Sequence, residues 1–402
     1  VMATLGGVLG AWANFIGHSE GPMNAHPQAI MPFMAEFFFI FIQFVLVGFL
    51  GVLMRRDEQP GFGEWVDASR APLGVRVIGK ALAGLGMTII LCCIPALAAV
   101  VLSITTMPEA LNIGLPFSYA LWYIMPAILE LAVVILLLHA VLSHAGMAYT
   151  LSIVVVFISI INHELGVVEY PLAQYGIPLH ASFFEITGWA PWFTLISAVN
   201  VFKGGIICIL FALAWMGWRR GTALVFADRL RAFGQRLFGA PGIFALASLL
   251  VSVLSAWVIF DKLVEKGEFE SSWTAVESEA EWEIKWWDQA APFSLTGGEV
   301  AVKIDPWTRS GTISWSLENL TTPDGQLHAT VPHGLELVMA KIEDVDVPFE
   351  LDGSHLVLDL LAFPGNHQLD LEFSVKFEDW PNEEHPWLMK QAVYLRAEIV
   401  VR

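Results

Sequence analysis

Six apolar stretches occupy most of the first 260 residues of this 402-residue chain. A stretch of about 20 apolar residues is what an α-helix needs to cross roughly 30 Å of hydrocarbon. The chain as a whole is 56% hydrophobic and only 15% charged, which is too apolar for an ordinary soluble protein. The stretches run Met31–Met54, Val77–Ser103, Ser118–Leu142, Gly146–Ile161, Trp192–Trp218 and Ile243–Phe260.

A shorter apolar stretch, Val1–Ile16, precedes these six, and the chain begins with Val inside it. We therefore expect that the chain is an excerpt of a longer protein. The fold class predicted is an α-helical polytopic membrane domain of about six or seven transmembrane helices. The domain boundaries predicted are 1–240 for the main membrane domain, 241–262 for an additional transmembrane helix and 263–402 for a separate domain.

Basic residues predict the orientation of the spans. Ten of the eleven Lys and Arg residues before Asp261 lie in two loops, one from Arg55 to Lys80 and one from Arg219 to Arg236. By the positive-inside rule both loops are cytoplasmic. Threading the spans between them predicts that Asn162–Pro191 and everything after Asp261 lie outside. The location predicted is the bacterial inner membrane, with the C-terminal domain on the periplasmic or extracellular side.

The C-terminal region has a different pattern. Residues 261–402 hold 27 acidic and 10 basic residues, a balance that repels nucleic acid and anionic lipid. Apolar residues alternate here with polar ones, which is typical of strands with one buried face. The pattern predicts an extracytoplasmic all-β, sandwich-like domain. The alternating sets are Val300, Val302, Ile304; Ile313, Trp315, Leu317; Leu356, Leu358, Leu360; and Leu369, Leu371, Phe373, Val375, Phe377.

Several segments, taken in order, resemble bacterial ABC type-2 exporter permeases fused to a domain like the N-terminal β-domain of zinc aminopeptidases (gluzincins). Arg55–Ala68 with Gly79 and Lys80 is similar to the cytoplasmic coupling segment of such permeases. Glu169–Gly176, Glu185–Trp189 and Trp218–Thr222 are similar to their outer re-entrant region and final span. Three further segments resemble the edge sheet that precedes the aminopeptidase catalytic domain, namely Glu277–Asp288, Val302–Pro306 and Ser314–Asn319.

The resemblance implies a permease half that exports a substrate together with a separate ABC ATPase subunit and a second permease half or homodimer mate. It also implies that the coupling segment docks on the ATPase. The amphipathic part of that segment suits a short helix pressed into a partner's groove, or an ordinary interfacial anchor. Its residues are Gly61, Phe62, Glu64, Trp65 and Asp67.

Two catalytic motifs are missing from the sequence. No G-x-x-x-x-G-K-[ST] phosphate loop is present, so ATP and magnesium are expected only in the partner. No H-E-x-x-H is present either: His163-Glu164 has no second His, and prolines flank the sequence Glu383-Glu384-His385. No catalytic residue, cofactor or metal site is predicted in this chain, and zinc is expected only if a peptidase domain follows. Five histidines of the outer domain are scattered without ligand spacing, namely His328, His333, His355, His367 and His385.

Four ionisable residues lie within the apolar stretches: Glu36, Glu130, His139 and Lys203. Such residues are costly in a membrane and are therefore candidates for function. Glu130 and Lys203 fall at a similar depth, which favours an ion pair; a role on the substrate path, or no contact, remains open. Glu36 and His139 lie nearer span ends, where each could reach the interface.

Two other functions stay open at this point. The spans could mainly anchor a zinc aminopeptidase whose catalytic domain lies outside this chain. Alternatively, the protein could be an inert membrane scaffold that recruits envelope partners through its β-domain. In all three cases the lipid bilayer is a partner and nucleic acid is not.

Overall fold

A computed structural model describes the fold. The residues that it describes are 27–56, 72–106, 113–142, 144–179, 192–218, 233–265, 269, 271–286, 293–305, 308, 310–322, 325–331, 335–352, 355–363, 365, 367–376, 387–389, 392–394 and 400–401. The chain divides into two compact units. One comprises Val1–Phe183 and Ile196–Trp257, and the other Phe184–Leu195 and Val258–Arg402.

The first unit is helical. Its helices form because long apolar runs satisfy their own backbone hydrogen bonds, which is what a span without water requires. Helix α1 packs against α2, α4 and α5. The helices are α1 Pro27–Arg55, α2 Leu73–Thr106, α3 Gly114–Tyr119, α4 Met125–Val141, α5 Ala145–Leu165, α6 Phe193–Gly217 and α7 Ala240–Phe260.

The described residues contain six helical segments long and apolar enough to cross a membrane. The chain is therefore a multi-pass membrane protein, as its composition predicts. Two of the six segments are mostly exposed on the protein's own surface, around Ala145–Asn162 and Ala240–Glu265, as expected for helices that face lipid. The partial span at Val1–Ile16 and the Gly61–Asp67 part of the coupling segment lie outside the described residues.

One predicted span is interrupted by a π-helical turn. Helices α3 and α4 join through Ala120–Ile124, whose five residues are π-helical, so Gly114–Val141 forms a single candidate span. A π-helical turn accommodates one extra residue within an α-helix and leaves its carbonyls less well satisfied. The side-chain amide of Asn200, on α6, donates a hydrogen bond to the carbonyl of Trp122 in this turn at 2.7 Å.

Basic side chains cap helix ends within the first unit. Arg55, the last residue of α1, donates to the carbonyl of Leu142 just after α4 at 3.0 Å. Lys80 donates to the carbonyl of Met54 at 3.0 Å, and Arg236 donates to two carbonyls at the end of α6. Cations are favourable at helix C-termini because the last carbonyls there lack intrahelical donors.

The described residues of the second unit form a helix and eleven strands. The helix is α8, Ser272–Trp286, and it is preceded by a π-helical turn at Asp261–Glu265 that continues α7. The strands are β1 Gly297–Asp305, β2 Ser310–Leu320, β3 Gln326–Thr330, β4 Leu335–Ile342, β5 Val345–Asp346, β6 Phe349–Asp352, β7 His355–Asp359, β8 His367–Lys376, β9 Trp387–Met389, β10 Ala392–Tyr394 and β11 Val400–Val401.

The described strands pair antiparallel throughout and form three sheets. A five-stranded sheet has the order β1-β2-β8-β4-β5, a four-stranded sheet has the order β11-β3-β7-β6, and β9 pairs with β10. The two larger sheets contribute to one hydrophobic cluster, which includes Phe373 of β8 and Leu358 of β7, both fully buried. The C-terminal region is therefore β-rich, as the alternating pattern predicts.

Alternation alone does not decide which strands are buried. In β8 the predicted residues Leu369, Leu371, Phe373 and Val375 are buried, and Phe377 of the same set lies outside the described residues. In β1, by contrast, Val300 and Val302 are 52% and 45% exposed. Among the described strands, β1 is the edge of its sheet and pairs with β2 alone, so less of the domain covers its apolar side chains.

One expectation from the family resemblance is wrong. Glu277–Asp288 was expected to belong to an edge sheet, but the residues up to Trp286 form helix α8. Ser271 caps this helix, because its hydroxyl oxygen accepts the amide of Thr274 at 3.2 Å. The run of Glu, Ala and Lys also favours a helix, with Glu281 one turn before Lys285.

Candidate functional site: a buried ion pair and a folded-back loop

An ion pair lies within the helical unit. Lys203 of α6 is 3.1 Å from Oε2 of Glu130 in α4, and the two side chains are 3% and 2% exposed. Glu130 lies 11 residues before the end of the Gly114–Val141 span, and Lys203 lies 10 residues after the start of α6. At about 1.5 Å per residue, each is roughly 15 Å from the helix end just named, well inside its own span. The structure thus brings together two of the four charged candidates.

The loop after α5 folds back onto this pair. Helix α5 ends at Gly166, whose left-handed conformation (φ 58°) is typical of a helix C-cap. The side chain of Asn162 then accepts the amide of Val168 at 2.8 Å, which turns the chain. We call residues 166–179 the α5–α6 loop.

Two backbone groups of the α5–α6 loop bind the charged side chains directly. The amide of Gly176 donates to Oε2 of Glu130 at 2.9 Å, and Nζ of Lys203 donates to the carbonyl of Ile177 at 2.7 Å. A buried charge needs such additional partners, because the attraction between two buried ions hardly offsets the loss of their hydration. The loop thus completes the polar environment of the ion pair.

Three side-chain hydroxyls fasten the same loop to the helices. Tyr123 donates to the carbonyl of Leu179, and Ser159 of α5 donates to the carbonyl of Gly176 at 2.9 Å. From the loop itself, Tyr175 donates to the main-chain carbonyl of Glu130. Residues 175–179 are therefore bonded to α4, α5 and α6 and to the π-helical turn before α4.

Gly176 is a position of the loop that requires glycine. Its φ is +70°, a left-handed conformation that suits glycine. A Cβ atom at this position would lie 2.8 Å from the side chain of Leu131, closer than atoms in contact can be. Both the conformation and the space therefore require glycine where the backbone passes beside Glu130.

A small cavity adjoins the ion pair. It has about 10 Å³ of free volume, room for about one water molecule. Residues of three segments line it, among them Tyr123, Pro178, Asn200 and Lys203. Lys203 therefore faces both the carboxylate and a space that can hold a polar guest of water size.

The other sequence candidates do not join this site. His139, expected to reach the interface, is only 5% exposed and packs edge-on against the ring of Tyr149 at 4.8 Å between centroids. The backbone of Glu36 belongs to α1, but its side chain lies outside the described residues. The coupling residues Gly61, Phe62, Glu64, Trp65 and Asp67 also lie outside them.

Sequence reasoning missed two polar features. Gln43 of α1 is fully buried, and its side-chain amide has no hydrogen-bond partner among the described residues. A glutamine within an apolar stretch is the sequence signal that could have predicted this feature. His328 and His355 meet across strands β3 and β7, with Nδ1 of His328 3.1 Å from Nε2 of His355. Their diagonal position could be found only from the strand register, which pairs His328 with Val357.

The two histidines are 5% and 2% exposed. Burial lowers the pKa of both imidazoles, and for His355 burial, followed by the neighbouring His328, lowers the pKa to about 4. Both rings are therefore neutral at pH 7. Among the described residues no group of three or more His, Cys, Asp or Glu side chains is arranged to hold a metal ion.

Comparisons with known proteins leave the family open. No protein-family model matches the chain, and no curated protein matches it.

Proposed function

We propose that this chain is one permease half of an ABC-type exporter, which works with a separate ATPase subunit and with a second permease half or an identical copy. The observation that carries the proposal is the α5–α6 loop, which folds back onto a charged pair between two candidate spans. A loop that only connected two anchoring helices would not need to enter the bundle. The segment within it, Glu169–Gly176, is also the one that resembles the outer re-entrant region of type-2 permeases.

The bonds of the loop suggest a mechanism. Lys203 of α6 holds both Glu130 of α4 and the carbonyl of Ile177. A tilt of α6 relative to α4 must therefore either carry the loop with it or break one of these bonds. In the proposed cycle, closure of the ATPase dimer pushes on Gly61–Asp67 and tilts the spans, and the Glu130–Lys203 pair locks the bundle until that push arrives.

The proposal includes a location and an orientation. The loops with Arg55, Lys80 and Arg236 face the cytoplasm of a bacterium, and the β-domain lies on the other side of the inner membrane. This domain is a sandwich of its two larger sheets, similar to the first domain of zinc aminopeptidases. The single hydrophobic cluster that both sheets share supports the sandwich.

Orientation can be tested by thiol labelling in intact spheroplasts. The β-domain has no cysteine of its own, so Glu350→Cys on exposed strand β6 introduces a unique thiol there. A membrane-impermeant maleimide should label this variant from outside. Labelling only after lysis would place the domain in the cytoplasm and would contradict the proposed orientation.

Function is tested by purifying the native, full-length protein in mild detergent and identifying the proteins that copurify. We expect a stoichiometric nucleotide-binding subunit with vanadate-sensitive ATPase activity. Phe62→Ala with Trp65→Ala should abolish copurification. Trp257→Ala, which removes a side chain that is 67% exposed on α7, is the control and should leave the complex intact. Zinc-dependent peptide cleavage without an ATPase would refute the exporter and favour the anchored peptidase.

A further inference from the structure

Helix α8 carries an apolar stripe that its own domain leaves exposed. Trp273, Val276 and Ile284 are 73%, 62% and 87% exposed, and Ala280 between them is exposed as well. These positions are spaced by three, four and four residues. At 100° per residue they fall within about 80° of one another on the helix. A contiguous exposed apolar stripe with polar residues beside it is typical of a surface that a partner or a membrane covers.

The position of α8 in the chain indicates what covers the stripe. The last candidate span ends at Glu265, and α8 begins at Ser272. Phe269, between the two, lies beside the end of the span, because its amide donates to the carbonyl of Leu263 in the last turn of the span at 3.0 Å. Three residues further on, at no more than about 3.5 Å each, α8 begins. Its first turn therefore lies within roughly 10 Å of Phe269, beside the end of a membrane helix.

The far end of α8 is fixed to the β-domain by an ion pair. Lys285 contacts Asp352 of strand β6. Lys285 lies about 120° around the helix from Trp273 and about 100° from Ile284, so this contact leaves the stripe free. One side of α8 is bonded to the domain and the stripe points elsewhere.

The residues of α8 indicate which kind of surface the apolar stripe contacts. Tryptophan prefers the headgroup level of a bilayer, where its ring is buried and its N–H stays hydrated. Glu277 and Glu281 flank the stripe and are exposed, so an anionic surface would repel the helix. A zwitterionic headgroup layer satisfies both conditions.

We propose that α8 lies flat in the headgroup layer of the bilayer that α7 crosses, with Trp273, Val276, Ala280 and Ile284 inserted among zwitterionic lipids. The helix acts as a second membrane anchor and holds the β-domain close to the surface. This proposal does not depend on the exporter function, since it requires only the end of one span and the helix that follows.

The test uses the full-length protein reconstituted in phosphatidylcholine vesicles, with Cys92, Cys93 and Cys208 replaced by alanine. A single cysteine at Ile284→Cys carries a bimane label, and Glu281→Cys, on the same helix but off the stripe, is the matched control. We expect quenching of the label at 284 by lipids with a nitroxide near the headgroup, and several-fold weaker quenching by aqueous iodide than at 281. Val276→Cys should repeat the result if the variant at 284 folds poorly.

Two results would overturn the proposal. Equal iodide quenching at 281 and at 276 or 284 would mean that the stripe is in water. Protection of 276 and 284 from both iodide and the nitroxide lipid would mean that a protein surface covers the stripe, either a second copy or another chain. Neither result would bear on whether an ATPase copurifies.

Discussion

The ion pair between Glu130 and Lys203 allows a quantitative test by a double-mutant cycle. Two unit charges 3.1 Å apart attract each other by about 5 kcal/mol at an effective dielectric constant of about 20. Removing one partner also leaves the other charge buried and unpaired. Lys203→Met or Glu130→Gln alone should therefore destabilise the helical unit by about 3 to 5 kcal/mol.

The double variant should behave differently. With Gln at 130 and Met at 203 no uncompensated charge remains, and the amide oxygen of Gln can still accept the hydrogen bond from Gly176. Its loss of stability should be about 1 kcal/mol or less, because apolar replacement of a complete buried pair is often neutral. The coupling energy of the cycle is then several kcal/mol, far above the roughly 0.5 kcal/mol found for independent sites.

The native cysteines supply the assay. Cys92, Cys93 and Cys208 are the three cysteines of the chain, and all belong to the helical unit. A thiol-reactive fluorophore added to the detergent-solubilised protein therefore reports the melting of this unit and not of the β-domain. We expect each single variant to lower the melting midpoint by on the order of 10 °C, and the double variant to melt close to the unmodified protein. Additive effects would show that the two charges do not interact, and would refute the reasoning.

Three further predictions concern other positions. Gly176→Ala should lower the free energy of unfolding of the helical unit by more than the 1 kcal/mol or so that a left-handed alanine costs, because the new Cβ also meets Leu131; the same melting midpoint reports this loss. Gly205→Ala should destabilise the unit, because its Cβ would lie 2.1 Å from Oγ of Ser252 on α7. The free energy of unfolding of the β-domain should fall by about 1 to 3 kcal/mol as the pH falls from 6.5 to 4, because His355 binds a proton at a higher pH in the unfolded chain than in the folded one. Hydrogen exchange of strands β3 and β7, corrected for intrinsic rates, measures this fall.

Each of these predictions has a matched control. Gly166→Ala changes a left-handed glycine with open space around it, so it should destabilise the helical unit less than Gly176→Ala does. Equal losses of stability would show that the contact with Leu131 contributes nothing. Gly204→Ala, also in open space, should stabilise α6 by up to about 1 kcal/mol, the opposite sign to Gly205→Ala. Full stability of the β-domain is expected above pH 6.5, and an unchanged exchange profile at pH 5 would refute the histidine prediction.

The spans and the strands were largely predictable because each depends on a repeated local pattern. Apolar runs placed the helices within a few residues; the run Ser118–Leu142, for example, differs from the candidate span Gly114–Val141 by four residues at its start and one at its end. The equal depth of Glu130 and Lys203 came from counting residues along two spans, and the structure shows the pair. Alternation likewise identified β7 and β8, whose inward sides fill the core.

Features that depend on tertiary contacts were not predictable. The α5–α6 loop binds the ion pair through the backbone of Gly176 and Ile177, and no side-chain pattern encodes a backbone donor or carbonyl. His328 and His355 are 27 residues apart and meet only because of the register of two strands. The resemblance of Glu277–Asp288 to an edge sheet predicted strand where helix α8 forms, although the Ser271 cap and the spacing of Glu281 and Lys285 favour a helix.

The π-helical turn at Ala120–Ile124 sets the angular phase between the two halves of the span that contains it. Deleting one residue from this turn would allow a continuous α-helix, with better backbone hydrogen bonds and less internal irregularity. It would also rotate Glu130 by about 100° relative to Tyr123, and the carboxylate would then point away from Lys203 while Tyr123 still faced the loop. A variant with this shorter and more regular helix would thus lose the site, because the π-helical turn is what places the Tyr123 hydroxyl and the Glu130 carboxylate on one side of the bundle.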